Sequence, residues 1–309
     1  MKKVFIDGSA GTTGLRIYER LSCREDVKIL SLPEEKRKDP ISRKEMINQA
    51  DVVFLCLPDD AARESVSLVE NPNTVVIDAS TAHRTLPDWA YGFPELSKAH
   101  EEKILSSKRI AVPGCHASGF IALVYPLVEA GLLGKDVLLT CHSITGYSGG
   151  GKKMIADYES EDRKLLLDAP RQYALGQQHK HLKEMKAMTR IDNAPIFSPI
   201  VADFYSGMTV TVPLFKGQLL KGDAETVKEV YRNKYQNEFV QYVETLDEGG
   251  LLSGLAVSGK DCMKVTVAGN EERILLIAGY DNLGKGASGA AVECMNMAIG
   301  AERTKGLVL

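Results

Sequence analysis

Short apolar runs punctuate the first third of the chain, at residues 4–6, 27–30, 52–57, 75–77 and 110–112. Runs of that length and composition read as buried strands of a parallel sheet. Helical periodicity fills the intervals near residues 15–21, 43–48 and 61–69. Such alternation requires right-handed crossovers and predicts an open, doubly wound α/β sheet of the Rossmann type. A long apolar-periodic segment follows at residues 120–133, and the rhythm then changes. Residues 137–142, 196–204, 208–213, 263–267 and 274–278 are candidate strands, the last two joined by a hairpin at Gly269-Asn270-Glu271-Glu272. Residues 223–235 read as a helix opened by Asp223 as N-cap. This middle portion is an expected α+β domain with a mixed or antiparallel sheet. A small-residue-rich helix at 287–299 is placed to pack back onto the first domain. The expected division is 1–114 with 282–309 for the first domain and 115–281 for the second.

Composition refines that picture only slightly. A chain of 309 residues with 44% hydrophobic residues can bury two cores. A net charge of −3 gives no reason to expect nucleic acid or an anionic membrane as partner. No apolar run approaches the ~18 residues needed to span a bilayer, and residues 3–7 enter a strand at once rather than forming a signal peptide. Cytoplasmic location is the expectation. The six cysteines contain no C-x-x-C pair, so neither a zinc site nor a disulfide framework is expected. Cys56, Cys141, Cys262 and Cys294 lie in apolar stretches and read as buried small hydrophobes.

The first turn reads Asp7-Gly8-Ser9-Ala10-Gly11-Thr12-Thr13-Gly14. Glycines between a strand and a helix allow a pyrophosphate to approach the backbone, and the helix N-terminus favours the anion. NAD sites usually carry an acidic residue after the second strand. Here that strand ends Leu30-Ser31-Leu32, with Lys36, Arg37 and Lys38 close behind. A hydroxyl and nearby cations suit a 2′-phosphate, so NADP(H) is the expected cofactor.

Cys115 sits in Pro113-Gly114-Cys115-His116-Ala117-Ser118-Gly119, between an apolar run and a long helical segment. That places it on a tight turn at a helix start, where unpaired amides and the positive helix end favour a thiolate. A cysteine titrating near ~8.5 can fall by one to several units there. A proton-moving partner is offered by His179 and His181, which at i and i+2 cannot share a helical face. At a helix edge, one can enter a cleft while the other supports it. No third ligand accompanies them, so no metal is expected. Thr145-Gly146-Tyr147-Ser148-Gly149-Gly150-Gly151-Lys152-Lys153 reads as a flexible, donor-rich loop able to hold a phosphate or the nicotinamide end of a cofactor. Arg84, in Asp78-Ala79-Ser80-Thr81-Ala82-His83-Arg84, follows a strand where open α/β sheets bind ligands and could fork onto a carboxylate or phosphate.

Taken in order, Gly8/Gly11/Gly14, Asp78-x-Ser80-x-x-x-Arg84, Tyr91-Gly92-Phe93-Pro94-Glu95-Leu96, Pro113-Gly114-Cys115, Ser148-Gly149-Gly150-Gly151-Lys152, His179-Lys180-His181 with Glu184, and Asp281-Asn282-Leu283-Gly284-Lys285-Gly286-Ala287 resemble the N-acetyl-γ-glutamyl-phosphate reductase family, in its shorter type. The resemblance implies a fold like aspartate-semialdehyde and glyceraldehyde-3-phosphate dehydrogenases. It also implies NADPH-dependent reduction of an acyl phosphate through a thioester on Cys115. In that scheme His179 or His181 is the acid/base, with His179 preferred. Gly8, Ser9, Gly11, Thr12, Thr13, Gly14, Ser31, Arg37, Ser80, Gly149, Gly150 and Asn282 serve the cofactor. Arg84, Ser148, Lys152 and Lys153 serve the substrate. A homodimer or homotetramer is implied, with no nucleic-acid or membrane partner. Longer members carry arginine-glycine where this chain has Ser206-Gly207, so an anion contact is missing or supplied elsewhere. A sibling reductase for aspartyl or carrier-bound acyl phosphates, and a non-catalytic NADP-binding redox sensor, stand as alternatives.

Overall fold

The apolar runs of the first third become a six-stranded, wholly parallel sheet in the order β2-β1-β3-β4-β6-β5. Its strands are β1 (Lys2–Asp7), β2 (Val27–Leu30), β3 (Val52–Leu55), β4 (Val75–Asp78), β5 (Ala90–Tyr91) and β6 (Arg109–Ala111). The helices between them are α1 (Thr12–Ser22), α2 (Pro40–Gln49), α3 (Asp59–Ser67) and α4 (Lys98–Ser106). Alternation along each strand explains why the runs are apolar throughout. Val4, Ile6, Phe54 and Ile77 pack with Ile17 and Leu21 of α1 on one face. Phe5, Val53, Leu55 and Val76 pack with Ile47 and Ala62 on the other. Each such side chain contributes roughly 1.5–3 kcal/mol by its burial. Asp39 caps α2 by accepting from Ser42 N–H, ahead of Pro40 in the first turn.

This computed structural model describes residues 1–309. They fall into two units, Met1–Pro113 with Ala287–Val308, and Gly114–Gly286 with Leu309. The second unit opens with α5 (Cys115–Glu129) and continues through β7 (Thr140–Gly146), α6 (Gly151–Glu159), β8 (Arg171–Gln172), α7 (His181–Thr189), β9 (Ile196–Ala202), β10 (Met208–Phe215), α8 (Ala224–Lys234), β11 (Val240–Tyr242), β12 (Met263–Gly269) and β13 (Arg273–Tyr280). Its seven strands form a mixed sheet ordered β11-β12-β13-β10-β7-β9-β8. The β12–β13 hairpin turns at Gly269, whose φ of +109° and a carbonyl 2.1 Å from any added Cβ exclude a side chain. Helix α5 packs on α7, α8, β10 and β13.

Two expected elements shift. The strand placed at 137–142 is β7, three residues later, and Leu138 is exposed. The inward positions of β7 include Ser143 and Thr145, and its outward positions include Ile144, so hydrophobicity alone points the wrong way. The supposed flexible loop at 145–153 is ordered. It is the end of β7, a 3₁₀ turn at Tyr147–Gly150 and the first turn of α6.

Pro126 lies inside α5 and lacks the N–H that would reach Ala122 C=O. Tyr235 O–H donates to that carbonyl at 2.6 Å, and Tyr231 O–H donates to Leu123 C=O at 2.5 Å. Side chains from outside the helix thus satisfy a carbonyl that a proline orphaned. The chain then returns to the first unit as α9 (Gly289–Ile299). No helix is long and apolar enough to cross a membrane.

Candidate active site

Cys115 is the first residue of α5, following an extended Gly114. No side chain caps this helix start and no acidic residue lies in its first turn. The positive helix end favours an anion there. Gly114 N–H donates to Glu184 Oε1 at 2.8 Å. Glu184 is buried on α7, one turn after His181, which is the first residue of that helix. Residues three apart share a helical face, so one short helix ties the histidine pair to the residue before the thiol.

The imidazoles of His179 and His181 lie edge to face with centroids 4.7 Å apart, and His181 N–H donates to His179 Nδ1 at 3.2 Å. A third imidazole joins them. His116 is buried, with its ring 5.9 Å from His179 and 5.7 Å from His181. It is bonded through Nδ1 to Ser143 Oγ and through Nε2 to Tyr173 Oη, both at 2.6 Å. Burial, and second the neighbouring His179, hold the His116 pKa down at about 3. This ring is therefore neutral at working pH and acts as a fixed hydrogen-bonding spacer. Burial, with the nearby Cys115 second, pushes the Tyr173 hydroxyl up, so it keeps its proton. The other cysteines offer no comparable chemistry. Cys141 and Cys262 are buried, and burial raises both thiols.

A second corner of the same unit gathers around Asn282. Its Nδ2 donates to Ser148 Oγ at 3.0 Å, and its Oδ1 accepts from Gly207 N–H at 2.9 Å. Gly149 lies alongside, 3.4 Å from that Nδ2 once a Cβ is added. Ser206 donates its hydroxyl to Asp281 Oδ2 at 2.8 Å. Asp281 also accepts from the N–H groups of Gly259, Leu283 and Gly284. Ser206 is thus part of the scaffold that shapes the 281–286 turn. Lys152 and Lys153 stand exposed in the first turn of α6, and Gly150 is exposed beside them.

In the first unit, Gly8 has φ +88° and an added Cβ would lie 2.3 Å from Cys56 O. At Gly14 it would lie 2.5 Å from Gly8 O. The start of α1 has no side-chain cap and no acidic residue, and Thr12 Oγ1 is buried without a hydrogen-bond partner. Open amides, two obligatory glycines and an orphaned hydroxyl fit a dinucleotide phosphate. Ser9 and Thr13 flank this turn half-buried, while Ser31 and Arg37 are exposed after β2. Ser80 Oγ donates to Asp78 Oδ2 at 2.7 Å. Arg84 is buried, with Nε on Val112 O and Nη2 on Ala79 O.

The comparisons with known proteins bear on both units. The family model "Semialdehyde dehydrogenase, NAD binding domain" matches residues 3–104, and "Semialdehyde dehydrogenase, dimerisation domain" matches residues 115–282. An N-acetyl-gamma-glutamyl-phosphate reductase of Rhizobium meliloti (strain 1021) is 43% identical, over 97% of this chain and 99% of its own. One from Brucella ovis is 45% identical, over 96% and 99%. The chain belongs to the N-acetyl-γ-glutamyl-phosphate reductase family. Among solved structures, the fold is similar to aspartate semialdehyde dehydrogenase II from Vibrio cholerae, with TM-score 0.70 at 17% identity over 97% of this chain and 98% of the other. It is also similar to the Candida albicans aspartate semialdehyde dehydrogenase solved with NADP, with TM-score 0.67 at 16% identity over 97% and 99%. Of the residues singled out in the sequence, the structure ties the Cys115 turn to the histidine pair through Glu184 and brings Asn282 beside Ser148 and Gly149. Tyr173, Ser143 and Tyr280, which carry no periodic or motif signal, join His116 and the Cys115 turn through tertiary contacts alone.

Proposed function

We propose that this reductase converts N-acetyl-glutamyl 5-phosphate to N-acetyl-glutamate 5-semialdehyde, with Cys115 as nucleophile. The observation that carries the reading is a thiol at an uncapped helix start, tied through Gly114, Glu184 and α7 to a histidine pair. The Cys115 thiolate attacks the acyl carbon, and the first-turn amides stabilise the tetrahedral oxyanion. The carbon–oxygen bond to phosphate breaks, inorganic phosphate leaves and a thioester remains on Cys115. The Gly8–Gly14 turn would hold NADP(H), with Ser31 and Arg37 suited to its 2′-phosphate, and the bound cofactor would supply the hydride that brings the acyl group to the aldehyde level. His179 or His181 donates a proton to the substrate oxygen and takes it back as the carbon–sulfur bond breaks. Neutral His116 and protonated Tyr173 pack against that pair and do not themselves exchange protons. The Ser148, Gly149 and Asn282 corner suits the carboxamide end of the cofactor. Arg84, Lys152 and Lys153 remain our candidates for the substrate's anionic groups. The exposed apolar sheet face of the second unit takes a second copy of the chain.

Run in reverse with NADP+ and inorganic phosphate, the protein oxidises N-acetylglutamate semialdehyde and leaves aspartate semialdehyde untouched. Oxidation of aspartate semialdehyde instead selects the aspartyl sibling, and no oxidation of either rejects both substrates. Cys115→Ser abolishes turnover while NADP(H) binding, read by fluorescence, persists. Substantial residual turnover rules out the thioester.

A further inference from the structure

Three tyrosine hydroxyls grip the Cys115 helix, and one of them sits on the turn that carries the thiol. Tyr280, the last residue of β13, is wholly buried. Its O–H donates to Cys115 C=O at 2.5 Å, and its oxygen accepts from Gly119 N–H at 3.0 Å. The hydroxyl therefore lies astride an i, i+4 pair in the first turn of α5. Gly119 makes this possible, since an added Cβ would stand 2.6 Å from the Tyr280 oxygen and 2.7 Å from Val210 Cγ2. A glycine inside a helix weakens it relative to alanine, and here it opens the only approach by which a phenol can reach that turn.

We propose that Tyr280 is a positioning residue for the thiol. By donating to the carbonyl of the Cys115–His116 peptide, it polarises that peptide and strengthens its N–H as a donor at the helix start. Hydrogen bonds in series reinforce one another in this way, and a stronger first-turn donor favours both the thiolate and the oxyanion. Burial, with Cys115 second, pushes the Tyr280 hydroxyl well above its usual range. It keeps its proton throughout the working pH range and is a constant donor, distinct from the acid/base pair. Tyr235 makes the same kind of bond to Ala122 C=O, two turns further along α5. It is an internal comparison that shares the structural role without the proximity to sulfur.

The inference rests on Cys115 being the nucleophile, and the test separates the two. Iodoacetamide alkylation of Cys115 is followed against pH, with the modified peptide identified by mass spectrometry. In Tyr280→Phe the midpoint rises by roughly half a unit, alkylation at neutral pH slows about threefold, and kcat falls with KM little changed. Tyr235→Phe lowers Tm without moving the alkylation profile. Site-specific 3-fluorotyrosine at 280, a more acidic and stronger donor of nearly the same shape, moves the midpoint downward. That opposite sign is inaccessible to a purely structural role, and it decides the question even if Tyr280→Phe fails to fold. An alkylation midpoint unchanged in both Tyr280 variants overturns the proposal. Full turnover in Cys115→Ser overturns the underlying reading whatever the Tyr280 variants do.

Discussion

His116 titrates in the opposite sense to a histidine that gains a carboxylate partner. Folding lowers its pKa from the usual 6.5 to about 3, chiefly by burial. As pH falls through 6.5 the unfolded chain takes up a proton that the folded chain refuses. Its linkage therefore destabilises the fold progressively between about pH 6.5 and 3 and is silent above that window. The slope from one such group approaches about 1.4 kcal/mol per pH unit. His116→Gln keeps a hydrogen-bonding side chain but removes the titration. Urea unfolding at pH 5 and pH 7 is expected to show a smaller pH difference for this variant than for the wild type, and equal differences would reject a neutral, buried His116. At this scale the sequence announced Cys115 through its Pro-Gly turn and the pair through their spacing. It was silent on Tyr173 and Ser143, because a buried phenol or serine reached through tertiary contact leaves no periodicity behind.

Elements explain which parts could be read in advance. The parallel strands were legible because both of their faces are covered, so every position is apolar. Strand β7 was displaced because polar Ser143 faces inward to hold His116, so catalytic geometry overrides hydrophobic pattern there. Helix α5 begins at Cys115, five residues before the apolar periodicity at 120 starts, since its first turn is made of small and polar residues that are buried from His116 to Gly119 all the same. The middle of α5 shows the structural side of the same design. Tyr235→Phe leaves Ala122 C=O buried without its only available donor, because Pro126 has none. A loss of about 1–3 kcal/mol is expected in urea titration, with turnover per folded molecule unchanged. A loss below the error of the measurement would mean that α5 relaxes around the proline.

At the scale of the whole molecule, the second sheet covers only one of its faces with helices. The same face of β7, β9, β10 and β13 carries Ile144, Ile196, Phe215 and Leu275, from 37% to 67% exposed, interleaved with Thr140, Thr209 and Pro213. Exposed apolar side chains grouped on one sheet face call for a partner, and a second copy of this chain is our proposed one. Ile144→Glu combined with Leu275→Lys is expected to halve the mass seen by light scattering while leaving Cys115 alkylation intact. A dimer of unchanged mass would place the interface elsewhere.

The return of α9 to the first unit has a consequence for the order in which this protein takes shape. Ala290, Ala291, Val292, Cys294, Met295 and Met297 belong to the same buried cluster as Val4, Ile6 and Phe54. During synthesis the first sheet emerges from the ribosome with that face covered only by α1 and α4, and about 170 residues must follow before α9 completes it. The nascent chain therefore spends most of its translation time, at about 5–20 residues per second, with an open apolar surface. The core of the first unit is therefore completed only after the inserted second unit has been made.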